Sequence, residues 1–171
     1  MHFARILLSP IAALIFIASA PGTSAEEWVL LNIEGEKPSR HFRLVDRDSV
    51  DRTSQDSVRL QLGVIYEGQR DETLGVEAAQ AIIDMTVNCA EHRGEISKAE
   101  FQNDAGEVLG VTDGPAYGDV LDTSRFGKQL LQFSCEEHSL LPGVSFAHLR
   151  LSEILPFWLN VIESPAIDNQ D

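Results

Sequence analysis

Two short motifs contain the residues with the clearest chemical potential in this chain. Its only two cysteines each open a Cys-x-x-His tetrapeptide, one from Cys89 to His92 and the other from Cys135 to His138. Two thiolates and two imidazoles can hold zinc in a tetrahedral Cys2His2 site. In an oxidising compartment, two thiols instead pair as a disulfide. The motifs therefore predict either a disulfide or a metal site.

The start of the chain bears on this choice because it predicts export. Residues 1–25 have the features of a signal peptide: Arg5 in a short positive start, an apolar stretch, and small residues before a cleavage point after Ala25. The uninterrupted apolar run, 11–18, is shorter than the roughly 20 residues that cross a bilayer. No cysteine lies near the cleavage point. We expect an exported protein, periplasmic or secreted, that is neither lipid-anchored nor stably inserted in the membrane.

Export favours the disulfide between Cys89 and Cys135, since thiols are oxidised on leaving the cytoplasm. In the chain-entropy model, closing so long a loop contributes about 4 kcal/mol to stability. The zinc site formed by Cys89, His92, Cys135 and His138 remains the alternative. A third arrangement keeps the disulfide and leaves the two histidines to bind a metal at the surface.

Other catalytic and metal-binding patterns are weaker. Asp46, Asp48, Asp51 and Asp56 suggest a calcium loop, but the sixth position is Asp51 rather than Gly and the twelfth is Ser57 rather than Glu. An Asp-rich, solvated turn is the better interpretation. The chain has no Gly-x-Ser-x-Gly elbow and no phosphate-binding glycine loop. We therefore predict a protein that is not an enzyme and needs no cofactor.

The charge of the chain restricts its partners. Lys and Arg number 13 against 27 Asp and Glu, for a formal net charge of −14. Such an acidic protein repels phosphate backbones and anionic lipid headgroups. Nucleic acid is therefore excluded as an expected partner, whereas a protein partner is compatible with this charge.

The apolar pattern predicts six strands that form an antiparallel meander. Val58, Leu60 and Leu62 begin a period-two row that continues to residue 66, with a polar row opposite that includes Gly63. A second such row ends at Cys89. The predicted strands cover 28–33, 41–45, 58–66, 81–89, 96–101 and 107–111, with turns or loops at 46–55, 103–106 and 112–118.

A helix is predicted after the strands. Ser124 is a candidate N-cap for a helix that ends at Cys135, although a strand over the same residues is the alternative. We divide the chain into a signal peptide (1–25), a domain (26–137) and a C-terminal extension (138–171). The extension is apolar from 144 to 162. We expect it to cover the domain's own surface, with a homodimer contact as the alternative.

The order of these features resembles the surface-adhesin protein E-like domain of Gram-negative bacteria. The matching features are Trp28 near the start, the segment 41–50, the strand at 58–66, a strand ending in Asn88 and Cys89, the hairpin at Gly106, and a helical segment ending in Cys135. The similarity covers residues 26–137. It implies an α+β fold in which a curved antiparallel sheet of about six strands is packed by a C-terminal helix and tethered to it by the disulfide.

The resemblance also implies a function, because the family is named after adhesins that bind host extracellular proteins. We expect an exported, non-catalytic binding module of the bacterial envelope. A structural or dimerising periplasmic accessory protein is the alternative. A hydrolase that uses an unrecognised pair of carboxylates is a third class.

Overall fold

The computed structural model describes residues 26–68, 77–136 and 144–163. Within these ranges, seven strands form one open antiparallel sheet in the order β6-β5-β4-β3-β2-β1-β7. The predicted signal peptide lies outside the described residues. The elements are β1 (Glu27–Glu34), β2 (His41–Ser54), β3 (Ser57–Tyr66), β4 (Gln80–Asn88), β5 (Arg93–Gln102), β6 (Val108–Val120), α1 (Arg125–Cys135), β7 (Ser145–Ala147) and α2 (Leu151–Phe157).

The row of apolar residues on β3 marks the face of the sheet that carries α1, here called the helix face. Val58, Leu60 and Leu62 are each at most 3 % exposed, as their period-two spacing predicts. Leu130 of α1 is fully buried in the same cluster. The predicted strand at 58–66 and the packing of a helix on the sheet are both confirmed.

The helix α1 begins where the sequence places its cap. The Ser124 hydroxyl oxygen accepts a hydrogen bond from the backbone N–H of Gly127 at 2.9 Å, which satisfies one of the free donors of the first turn. Gly127 lies so close to the turn at Leu121–Thr123 that no side chain would fit. A Cβ at this position would collide with the carbonyl oxygen of Leu121. The helix predicted for this segment is confirmed, and the strand alternative is wrong.

The opposite side of the sheet is covered by residues 144–163, here called the strap. The strap adds β7 to the edge of β1, continues into α2, and ends in a π-helical turn, Trp158–Ile162. Leu151 and Ile154 of α2 are buried on Trp28 and Phe42 of the sheet, so this side is called the strap face. The strap thus supplies a seventh strand and a second helix, neither of which the sequence patterns predict.

Gly63 is placed differently from the prediction. Its row was expected to face water, yet Gly63 is buried beneath α2. A Cβ here would lie 2.5 Å from Leu151 Cδ1 and 2.8 Å from Trp28 Cζ3. A glycine inside a strand often marks such a close approach, and here it lets α2 lie directly on β3.

The predicted turn at 46–55 is wrong for most of its length. Strand β2 runs to Ser54, and a bulge lies between the pairs Asp46–Gln61 and Asp51–Arg59. Ser49 bridges the bulge: its hydroxyl accepts from the Gln61 N–H at 2.7 Å and donates to the Asp46 carbonyl at 2.6 Å. Ladder hydrogen bonds do not require apolar side chains, so a polar segment can continue the strand.

The hairpin at 103–106 is confirmed, whereas the loop predicted at 112–118 is wrong. Gly106 has a φ of +80°, and the Asn103 side chain accepts from the N–H groups of Ala105 and Glu107. Residues 112–118 continue β6, which pairs with β5 as far as Val120. Strand β6 is at the edge of the sheet, where proline and glycine are tolerated because one side has no neighbouring strand.

Candidate functional site

The two cysteines are joined in a disulfide, as predicted. Cys89 follows the last residue of β4 and Cys135 is the last residue of α1, and their Cα atoms are 5.6 Å apart. The bond therefore ties the sheet to the helix. Both cysteines are half-buried.

The metal alternative requires thiolates, and the disulfide removes both of them. His138 lies outside the described residues. The His92 ring is half-exposed, with its Nδ1 3.5 Å from Asp122 Oδ2. Within the described part of the chain, no three His, Cys, Asp or Glu side chains converge in a way that could hold a metal ion.

A groove of about 690 Å³ on the helix face is the candidate binding site. It exists because α1 covers only one end of the row on β3. Leu62 is buried, but Val64 and Tyr66 further along the strand are only half-buried. The groove crosses β2 to β5, about 14 Å at the normal strand spacing, and Glu34 of β1 and Val120 of β6 also line it. Its floor is formed by Leu62, Val64, Ile83, Met85 and Ile96.

The rim of the groove on the β2 side carries aromatic and charged groups. His41 and Tyr66 are paired across β2 and β3, and their rings meet edge to face with centroids 5.2 Å apart. Arg43 forms an ion pair with Glu34, and its Cζ lies 4.8 Å from the centre of the Phe126 ring. The charges of Arg43 and Glu34 compensate each other, so the rim provides polar contacts around the apolar floor without a net charge.

These residues suit binding. The apolar floor can accept apolar side chains, while the rings of His41, Tyr66 and Phe126 can stack on a ligand. Binding sites in proteins commonly combine apolar walls with a few polar groups in this manner. Apolar surface left open to water also favours association, because covering it is worth about 25 cal/mol per Å².

A second cavity, of about 700 Å³, lies beside the bulge in β2 and is here called the acidic hollow. Asp46, Asp48, Asp51 and Asp84 line it, so three of the four aspartates from the rejected calcium pattern do come together. Asp56 is not among the lining residues and lies in the turn between β2 and β3. The hollow also brings together carboxylates of the kind that the hydrolase hypothesis requires.

Two carboxylates of the acidic hollow accept hydrogen bonds from the chain itself. Asp46 accepts from the Asp48 N–H at 3.1 Å, and Asp84 accepts from Gln61 Nε2 at 2.9 Å. Burial raises the pKa of Asp46, against the lowering effect of the backbone hydrogen bond from Asp48. Since Asp46 and Asp84 are already hydrogen-bonded within the fold, we take the groove as the better candidate.

The sequence analysis did not identify the groove, although one signal was present. The period-two row on β3 has five members, and one helix lying across strands covers only part of such a row. The end of the row at Val64 and Tyr66 is not covered by the helix. It therefore indicates an apolar surface that another element or a partner would cover. The role of His41 could not be inferred, since it depends on the register that pairs His41 with Tyr66.

The chain matches no family model, no curated protein and no solved structure. In the described part of the chain, no helix has the length and apolar character needed to cross a membrane.

Proposed function

We propose that this protein is an exported, non-catalytic binding module of the bacterial envelope, similar to surface-adhesin E-like proteins. The proposal combines the predicted signal peptide with the disulfide between Cys89 and Cys135. A disulfide is expected where thiols are oxidised, which fits the periplasm or the medium. The observation that carries the proposal is the open apolar groove on the helix face.

The partner that best suits the groove is a protein segment that presents apolar or aromatic side chains. The floor has no charged residue, and the two charges at the rim are paired with each other. A strongly anionic ligand is disfavoured, because the protein already carries a formal charge of −14. A protein segment also agrees with what the family resemblance implies.

Substitution of the groove floor tests the proposal. Val64→Glu places a carboxylate on the floor, where a bound apolar side chain would have to desolvate it. We expect tagged wild-type protein to retain a specific envelope protein reproducibly from a detergent extract, and Val64→Glu to retain at least about tenfold less, the equivalent of 1.4 kcal/mol. Quantitative mass spectrometry of the retained proteins measures the difference.

Val50→Glu is the matched control, because it makes the same chemical change at an exposed valine of β2 that does not line the groove. Circular dichroism confirms that both variants are folded. If Val64→Glu and Val50→Glu retain the same proteins as the wild type, the groove is not the binding site. Repeated failure of the wild type to retain any protein also contradicts the proposal. Fractionation of cells that express the tagged full-length chain tests export, which a cytoplasmic location would contradict.

One observation favours the dimerising accessory protein as the second candidate. The end of the strap exposes several large apolar side chains: Phe157, Leu159, Val161 and Ile162 are 39, 38, 60 and 41 % exposed. A contact between two straps would cover them. Light scattering that gives a dimer mass for the wild type and a monomer mass for Val161→Glu would support this candidate, and a wild-type monomer would remove it.

A further inference from the structure

Strand β6 has a short, regular stretch at the edge of the sheet that no described strand covers. Gly110 to Asp113 pair without interruption with Phe101 to Lys98 of β5. On their other side, the strand order shows no further neighbour. Alternate residues of an edge strand direct their N–H and C=O groups away from the sheet, where they can pair with another strand.

The side chains around this stretch are unusually apolar for a free edge. Val108, Leu109 and Val111 are 54, 41 and 43 % exposed. Edge strands are commonly protected by lysines, prolines or bulges. Bulges do flank the stretch, one at Leu109 and another beyond Asp113, but they leave the part between them open. This segment is therefore able to accept a partner strand.

The charge around the edge indicates which strand it would accept. From Glu100 to Ser124, counting Glu100, the chain has six acidic residues and no Lys or Arg. Glu107 and Asp113 bracket the exposed valines. On β5, Lys98 lies opposite Asp113 in the register, and its Nζ is 3.5 Å from Glu100 Oε2, so this single cation is shared between two carboxylates. The edge thus combines apolar side chains with an excess of acidic residues over basic ones.

The same charges disfavour a second copy of this chain as the occupant. If two β6 strands paired antiparallel about Gly110, Glu107 of each copy would lie opposite Asp113 of the other. Like charges directly opposite each other destabilise a strand pair. Any other register still brings two acidic edges together.

We propose that β6 binds an extended protein segment in which Lys or Arg alternates with apolar residues, by adding it to the sheet as an eighth strand. Main-chain hydrogen bonds to the edge would provide affinity, and the pairing of basic side chains with Glu107 and Asp113 would provide selectivity. This site is separate from the groove and does not depend on the function proposed for it.

The test uses the purified, disulfide-bonded protein labelled with 15N and the synthetic peptide acetyl-KVKVKVK-amide. We expect the peptide to shift the backbone amide signals of residues 108–113 and to slow their exchange with solvent. Raising the salt concentration weakens the binding, because the charges involved are exposed and screened. The acidic peptide acetyl-EVEVEVE-amide does not bind.

The double variant Glu107→Lys, Asp113→Lys reverses the charge of the edge. Exposed ion pairs each add little affinity, so we expect only about a tenfold loss of affinity for the basic peptide, together with new binding of the acidic one. Glu36→Lys, Asp56→Lys is the matched control: it changes the net charge equally at exposed turns outside β6 and retains binding of the basic peptide.

Three results would overturn the proposal. If both double variants lost the same affinity for the basic peptide, attraction to the net charge of the protein would explain the binding. Shifts confined to groove residues such as Val64 would place the peptide elsewhere. Self-association of the wild type with exchange protection at 108–113 would identify a second copy as the occupant.

Discussion

At the scale of single residues, Gly63 explains why the strap can lie so close to the sheet. Its position on β3 leaves no room for a side chain, because Leu151 from the strap and Trp28 from β1 meet above it. Leu151 is 3 % exposed and Trp28 is 1 % exposed. One missing side chain therefore allows a large apolar cluster to form on the strap face.

We expect Gly63→Ala to destabilise the protein by about 1–3 kcal/mol, the usual cost of overpacking a core. The added methyl group must displace the end of Leu151 or the buried Trp28 ring. Urea denaturation monitored by circular dichroism measures the loss.

The control for this prediction is the same substitution in a Leu151→Ala background, where the smaller side chain leaves room for the methyl group. A double-mutant cycle should show that Gly63→Ala costs less there. An equal cost in both backgrounds would mean that contact with the strap is not the cause.

At the scale of elements, the strap is held at its end by a network of charges. Arg40 of the sheet lies between two carboxylates: its Nη2 is 2.9 Å from Glu67 Oε1 and 3.2 Å from Glu163 Oε2. Lys37 also forms an ion pair with Glu163, and the Trp158 indole N–H donates a hydrogen bond to Glu163 Oε1 at 2.6 Å. Because Trp158 in turn packs on Phe42, this network fixes the last turn of the strap on the sheet.

Glu163→Gln should loosen the end of the strap and lower the melting temperature at pH 7. Hydrogen bonds from Arg40, and then from Lys37 and Trp158, lower the pKa of Glu163 from 4.5 to about 2. The folded pKa lies below the unfolded one, so the stabilisation is complete above about pH 4.5 and is lost as the pH falls towards 2. The melting temperatures of wild type and variant should therefore converge over that range.

Tryptophan fluorescence provides the local measurement for the strap, since Trp158 is one of only two tryptophans. Glu153→Gln is a useful comparison, because Glu153 caps α2 through the Arg150 N–H and has no contact with Arg40. A difference between wild type and Glu163→Gln that did not change between pH 4.5 and pH 2 would contradict the role of this network.

At the scale of the whole molecule, elements from distant parts of the chain cover the two faces of one sheet. The helix α1 packs on the helix face and the strap packs on the strap face, while no described element covers the groove or the β6 edge. The disulfide spans a sequence separation of 46 and joins the middle of the sheet to the end of α1. The disulfide therefore stabilises the fold by restricting the conformations of the unfolded chain as a whole.

Replacing both cysteines, Cys89→Ala with Cys135→Ala, should lower the free energy of unfolding by up to about 4 kcal/mol, because the unfolded chain gains entropy when the loop is opened. Urea denaturation measures the change, and the wild type treated with dithiothreitol should show a similar loss. The mass of the non-reduced wild type should be two hydrogens below that of the reduced form. An unchanged mass together with bound zinc would instead support the Cys2His2 alternative.

Local patterns predicted the parts of this fold that depend on neighbouring residues. The alternation of Val58, Leu60 and Leu62 sets a strand with one buried row, because side chains on a strand alternate between faces. Ser124 marks the start of α1, because its hydroxyl caps the first turn. Composition failed at 46–55 and 112–118, where backbone pairing with β3 and β5 extends polar or glycine-rich segments as strands.

The sequence alone predicted the antiparallel strands, and it favoured the helix after them and the disulfide between Cys89 and Cys135 over a strand and a zinc site. Each of these predictions depends on local periodicity or on the chemistry of the only two cysteines. Only the tertiary structure decided how far α1 extends over the sheet, what lies above Gly63, and that His41 meets Tyr66 at the rim of the groove. These features arise from contacts between residues that are distant in the chain. Periodicity shows that a row of side chains is to be buried, but not which element covers it or where that cover ends.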